Sequence, residues 1–264
     1  MAPRIALYLF DSGTLTADMR TLLGGEPGGS FTVPVPYYLI RHPEGDVLFD
    51  GGNALECARD PDGHWGDLAR LFRVDMTEDQ HVVARLRALG VDPASIRYVI
   101  QSHLHMDHTG ALGHFPEAKV LVHERELEYA RRSDPFRPTG YVRADFERPG
   151  IDWQLVDHGE DDPGVDLYGD SSIRTIFTPG HAAGHMSLFV TLPRTGPVLL
   201  TADAAYTRAH YDGRALPAVM VSREDTIRSV ERLREIQRQT DALVITGHDP
   251  DEWERLRRAP EHYR

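Results

Sequence analysis

Four side chains able to ligate a metal crowd into six residues at His103-Leu104-His105-Met106-Asp107-His108. Imidazole and carboxylate donors with no thiolate among them suit Zn²⁺, and equally Mn²⁺, Co²⁺ or Fe²⁺, so ligand type alone does not select the metal. An extended or tightly turned backbone sends His103 and His105 to one side by period-two alternation. Asp107 and His108 then point elsewhere at the turn, which predicts two adjacent sites.

Three further candidates lie directly beyond apolar runs: His181 in Thr178-Pro179-Gly180-His181, Asp203 in Leu200-Thr201-Ala202-Asp203, and His248 in Ile245-Thr246-Gly247-His248. Ligands of layered α/β proteins gather beyond the carboxyl ends of strands, so four such ends are expected to converge on one cleft. Gly180 and Gly247 permit sharp turns just before a ligand. A lone histidine is usually structural, and only the cluster raises these seven residues to a site. His185 competes with His181 but begins the next strand, which suits a residue that orients a ligand.

The elements that must position these groups are mostly strands. Runs rich in Val, Ile, Leu, Tyr and Phe predict strands at Ile5–Phe10, Val35–Ile40, Val47–Asp50, Tyr98–Ile100, Val120–Val122, Ile173–Phe177, Leu188–Leu192, Val198–Leu200 and Leu243–Ile245. Two helices are predicted. Val82, Val83, Leu86 and Leu89 follow a Thr77/Gln80 capping box and stop at Gly90; Ile227, Val230, Leu233 and Ile236 follow a Ser222 cap. Residues 124 to 170, rich in charge, Pro and Gly, read largely as a surface excursion. With no internal repeat or linker, the 264 residues are expected to form one α/β domain spanning 1–264.

Composition excludes several classes of function. No stretch approaches the roughly 18 apolar residues of a membrane span. The run from Met1 to Phe10 lacks the parts of a secretory signal, and Cys57 is the only cysteine, so a cytoplasmic location is expected. A formal net charge of −12 disfavours a nucleic-acid partner, because phosphate binders carry basic patches. A homodimer is compatible with the sequence.

The H-x-H-x-D-H spelling of His103 to His108, followed in order by His181, Asp203 and His248, resembles the metallo-β-lactamase superfamily. The resemblance implies a four-layer αββα sandwich. It also implies two divalent metal ions per chain, Zn²⁺ foremost, one held by His103, His105 and His181 and the other by Asp107, His108 and His248, with Asp203 between them. Cys57 lies far from the place of the cysteine ligand of true β-lactamases, and the helical C-terminal part of glyoxalase II has no counterpart after His248. The acidic charge disfavours the tRNA-processing nucleases, and the intact His105 the flavo-diiron oxidoreductases.

Asp11-Ser12-Gly13-Thr14-Leu15, Pro34-Val35-Pro36-Tyr37-Tyr38, Phe49-Asp50-Gly51-Gly52, Asp203-Ala204-Ala205-Tyr206 and Gly247-His248-Asp249 are similar to the N-acyl homoserine lactonase family. His64-Trp65-Gly66 and Tyr168-Gly169-Asp170 resemble its γ-butyrolactone lactonase branch. The implied activity is hydrolysis of a lactone ring by a metal-bridging hydroxide, with Tyr206 donating a hydrogen bond to the oxyanion or helping to protonate the leaving alkoxide, and Asp107 a ligand whose second role, as proton carrier to the departing oxygen, the sequence does not separate from the first. A thioesterase or phosphotriesterase on the same site is the alternative, and a mononuclear iron persulfide dioxygenase is a more remote one. Met106, Trp65, Phe136 and Tyr141 are candidate pocket walls, though core or loop packing explains each as simply.

Overall fold

The structure is a computed structural model that describes residues 5–24, 28–133 and 139–264; Phe136 lies outside the described residues. Among the described residues, eleven strands form two sheets. The larger holds β1 (Ala6–Asp18), β2 (Ser30–Arg41), β3 (Asp46–Phe49), β4 (Arg73–Asp75), β5 (Ile96–Ile100), β6 (Lys119–His123) and β7 (Asp152–Val156) in the order β4-β1-β2-β3-β5-β6-β7. The smaller holds β8 (Ile173–Phe177), β9 (Met186–Leu192), β10 (Gly196–Leu200) and β11 (Leu243–Ile245) in the order β11-β10-β9-β8.

The sheets pack face to face because each strand turns one row of apolar side chains inward. Leu7, Leu9, Tyr38, Phe49 and Ile100 of the first sheet meet Ile173, Leu188, Val190, Leu200 and Ile245 of the second. Their other faces are apolar too and need covering.

Among the described residues there are eight α-helices: α1 (Met19–Leu23), α2 (Pro61–Trp65), α3 (Val82–Ala88), α4 (Glu124–Arg132), α5 (Arg143–Phe146), α6 (Arg208–Tyr211), α7 (Arg223–Thr240) and α8 (Pro250–Trp253). Val82 and Leu86 of α3 and Leu127 and Ala130 of α4 cover the outer face of the larger sheet, against Leu39, Leu48 and Val99. Val230 and Leu233 of α7 cover Phe189, Leu199 and Val244 of the smaller one. The result is an αββα sandwich.

Three expectations need correction. The Thr77/Gln80 capping box closes a short 3₁₀ turn, Glu78–Gln80, and the α-helix begins only at Val82, because His81 is extended at φ −64°, ψ 144°. The stripe on α7 is rotated: Thr226 and Ser229 are buried whereas Ile227 is only half-buried. Ser229 Oγ donates to the Pro179 carbonyl at 2.7 Å, and a Cβ on Gly180 would lie 2.3 Å from the Thr226 nitrogen, so small polar residues let the helix lie against the His181 turn. The 124–170 stretch is less of an excursion than its composition suggests, since α4 buries Glu126, Leu127 and Ala130 and β7 adds an edge strand.

Candidate metal centre

All seven candidate residues sit at the ends of strands on one rim of the sandwich. After β5 the chain turns through residues 101 to 108, and the turn is held from below by Asp50, at the end of β3. One Asp50 carboxylate oxygen accepts from the Ser102 N–H at 2.7 Å; the other accepts from Ser102 Oγ at 2.8 Å and lies 2.9 Å from His108 Nδ1. Asp50 itself adopts φ 59°, a left-handed conformation that aspartate tolerates better than most residues.

The hydrogen bonds fix the ring tautomers. Ser102 Oγ gives its proton to Asp50 and therefore accepts from His103 Nδ1, 2.9 Å away. His181 Nδ1 donates to the Val219 carbonyl at 2.9 Å, and His248 Nδ1 to the Pro34 carbonyl at 2.8 Å. In His103, His108, His181 and His248 the Nε2 lone pair is consequently left pointing inward.

These lone pairs face one another. His181 Nε2 is 3.1 Å from His103 Nε2 and 2.9 Å from His105 Nδ1. Asp203 stands between two groups: its Oδ2 is 3.3 Å from His181 Nε2 and 3.8 Å from His103 Nε2, and its Oδ1 is 3.0 Å from His248 Nε2 and 3.3 Å from His108 Nε2. Asp107 completes the second group, with Oδ2 3.6 Å from His248 Nε2 and Oδ1 3.8 Å from His108 Nε2. Donor atoms of His103, His105 and His181, of His103, His108 and Asp203, and of Asp107, His108 and His248 each fall within 4.8 Å of one another.

Seven buried donors aimed at a common space, with few protons among them, repel unless a cation lies between them. His108 Nε2 and Asp203 Oδ1 are buried without a hydrogen-bond partner. Burial and mutual repulsion push His103 and His105 well below the usual imidazole value. Burial opposes charge on His108 and His248 as well, yet the carboxylates of Asp203 and Asp107 raise both, so this half of the site attracts positive charge. The donor set fits divalent metal ions.

His185 has no lone pair to offer. Its Nε2 accepts the Asp203 N–H at 3.0 Å and its Nδ1 lies 2.8 Å from Thr178 Oγ1. Tyr206 is buried, with Oη 3.2 Å from His181 Nδ1. Because that nitrogen's proton is directed at Val219, the phenol proton is free to be donated elsewhere.

A cavity of about 190 Å³ opens directly above His105, Asp107, Asp203, Tyr206 and His248. Its walls are apolar, from Leu15, Leu22, Val33, Leu71, Phe72 and Met106. Met106 is thus a wall residue. Trp65 instead packs behind the wall with Leu15, Val33 and Met106, and Tyr141 lies edge-on to the His105 ring at 4.6 Å. Leu22, Leu71 and Phe72 carry no signal in the sequence, since isolated apolar residues in short irregular segments look like ordinary packing. Asp50 was legible as a strand end and within the Phe49-Asp50-Gly51-Gly52 stretch that carries the resemblance, but not as the support of the 101–108 turn.

Residues 31–248 match the family model of the metallo-beta-lactamase superfamily. The chain is 48% identical over 98% of its length, and 98% of the relative's, to the N-acyl homoserine lactonase AttM of Azorhizobium caulinodans. It is 29% identical, over 97% of its length and 98% of the relative's, to the N-acyl homoserine lactonase AiiA of Bacillus thuringiensis subsp. kurstaki. A solved N-acyl homoserine lactone hydrolase, with the product N-hexanoyl-L-homoserine bound at its catalytic metal center, superposes with a TM-score of 0.87 over 100% of both chains at 27% identity. The chain belongs to the metallo-beta-lactamase superfamily and, within it, to the N-acyl homoserine lactonase family of metal-dependent hydrolases.

Proposed function

We propose that this protein opens the ring of N-acyl homoserine lactones, with two zinc ions held by His103, His105 and His181 on one side and Asp107, His108 and His248 on the other, and Asp203 shared. One observation carries the reading: the two Asp203 oxygens divide between two donor groups directly beneath an apolar cavity. The relative that carries N-hexanoyl-L-homoserine at its metal center supports the substrate class.

Divalent ions at such a site acidify a water into a nucleophile near neutral pH and draw charge from an ester carbonyl. The residues of this chain supply the rest. Leu15, Leu22, Val33, Leu71 and Phe72 offer the acyl chain a water-poor wall, where each buried methylene contributes about 0.8 kcal/mol. Burial, with Asp203 and Asp107 nearby, pushes Tyr206 well above the usual phenol value, so it stays protonated and can donate to an oxygen gaining charge. Asp107, the most exposed of the seven candidates, faces the same cavity and can hold the proton destined for the departing ring oxygen. Water adds to the acyl carbon, the ring C–O bond breaks, and a hydroxy acid leaves.

A pH-stat assay tests the proposal, comparing γ-butyrolactone with short- and long-chain acyl homoserine lactones on protein of known metal content. Faster turnover of the acylated lactones is expected. No lactone turnover by a fully metallated sample would move the activity to a thioester or phosphotriester.

A further inference from the structure

Glu126 has no place in the ligand set, yet it is completely buried in the first turn of α4. In sequence it falls in the charge-rich stretch 124–170, read largely as a surface excursion. The cap of α4 is made by His123 Nδ1 accepting from the Arg125 N–H, and the Glu126 carboxylate turns inward.

There it accepts three hydrogen bonds from three separate segments. Oε1 accepts from the Leu104 N–H at 3.0 Å and from Tyr141 Oη at 3.0 Å; Oε2 accepts from the Gly184 N–H at 3.0 Å. Leu104 lies between His103 and His105. Gly184 closes the turn that starts at His181, and a Cβ there would lie 2.3 Å from the Glu126 nitrogen. Tyr141 pairs with His105 through a backbone bridge and packs edge-on against its ring, while the neighbouring Gly140 carbonyl accepts from the Met106 N–H at 2.9 Å.

We infer that Glu126 is a positioning residue of the three-histidine group: one buried carboxylate ties together the three segments that carry or cover His103, His105 and His181. Asp50 bonds His108 directly and reaches His103 through the Ser102 hydroxyl, so two buried carboxylates support the donor groups. Two backbone N–H donors and the Tyr141 hydroxyl surround Glu126, and these bonds favour the ionised form against burial, which pushes the carboxyl up. Residues in this relation to a metal ligand typically change metal affinity about 10–100-fold when altered.

The inference rests on the proposed two-ion reading, and metal titration of Glu126→Gln beside wild type separates the two. Gln keeps the shape but turns an NH₂ group toward one of the three donors. The variant is expected to bind one of its two Zn²⁺ ions about 10–100-fold more weakly, to gain less in Tm on adding Zn²⁺, and to show an altered Co²⁺ absorption spectrum with the second ion unaffected. A purely structural role would lower the Tm of the metal-free protein and leave the metal-induced gain unchanged. A folded variant with wild-type affinities and spectrum overturns the inference; a wild type that binds no metal overturns the two-ion reading instead. Should Glu126→Gln fail to fold, Tyr141→Phe decides. It removes one donor and keeps the carboxylate, so a several-fold weaker first ion supports the inference and an unchanged one overturns it.

Discussion

His185 Nε2 accepts the backbone N–H of Asp203 at 3.0 Å, so the carboxylate between the two donor groups is aimed by a histidine outside both groups. His185→Leu leaves that N–H and the Thr178 hydroxyl with one partner fewer, at a cost of about 1–3 kcal/mol in stability. Two metal ions should still bind, more weakly. Metal analysis together with chemical denaturation checks this; loss of one ion outright at saturating metal would make His185 a ligand in place of His181.

Tyr206→Phe removes one hydroxyl from a buried ring and leaves every metal-donor atom in place. Metal content is expected to stay at the wild-type level while kcat falls about 10²–10³-fold, the range seen when one oxyanion donor is deleted. Equal kcat would reduce Tyr206 to packing.

The apolar wall predicts a split between substrates. Leu22→Trp narrows the cavity above the candidate metal ligands, so kcat/KM for long-chain acyl homoserine lactones should fall about tenfold or more, whereas γ-butyrolactone, which has no chain to seat, should change little. Parallel loss for both substrates would place the chain elsewhere.

Acid should destabilise the protein through His81. Burial first, and then His114, push this imidazole down to about 4, and its Nε2 donates to the Gly110 carbonyl at 3.0 Å. The unfolded chain takes up that proton near the usual value of about 6.5 and the folded one only near 4, so between these values the unfolded state binds more protons. Stability is therefore full above about 6.5 and falls as pH drops toward 4. His81→Gln, which can keep the bond to Gly110, should flatten this dependence by up to one proton in a denaturation series across that range.

Much of the site was legible because each donor follows an apolar run: a strand end fixes where the next residue points, and seven such residues in order leave little freedom. Strand ends were less legible. β1 runs on to Asp18 through a bulge between Asp11 and Thr14, where Gly13 adopts φ 82°, and the polar alternation past Phe10 hides the continuation. β4 and β7 are edge strands without a fully buried residue and lack the apolar signature of a buried strand. Glu126 was illegible for the opposite reason, since a charged residue on a charged helix gives no hint that it faces the core. Asp50 and Glu126 act through hydrogen bonds to backbone far away in sequence, and that information exists only once the sheets are packed; His185 was expected to orient a ligand, but its partner, the Asp203 N–H, emerges only from the packing.

Metal dependence is the centre of the account. Protein stripped by a chelator is titrated with Zn²⁺ while proton release from N-hexanoyl homoserine lactone is followed. Turnover should be absent at the start and rise to a plateau at about two ions per chain, with the Tm rising in step. Turnover in the stripped protein, or a plateau reached at a single ion, would contradict it.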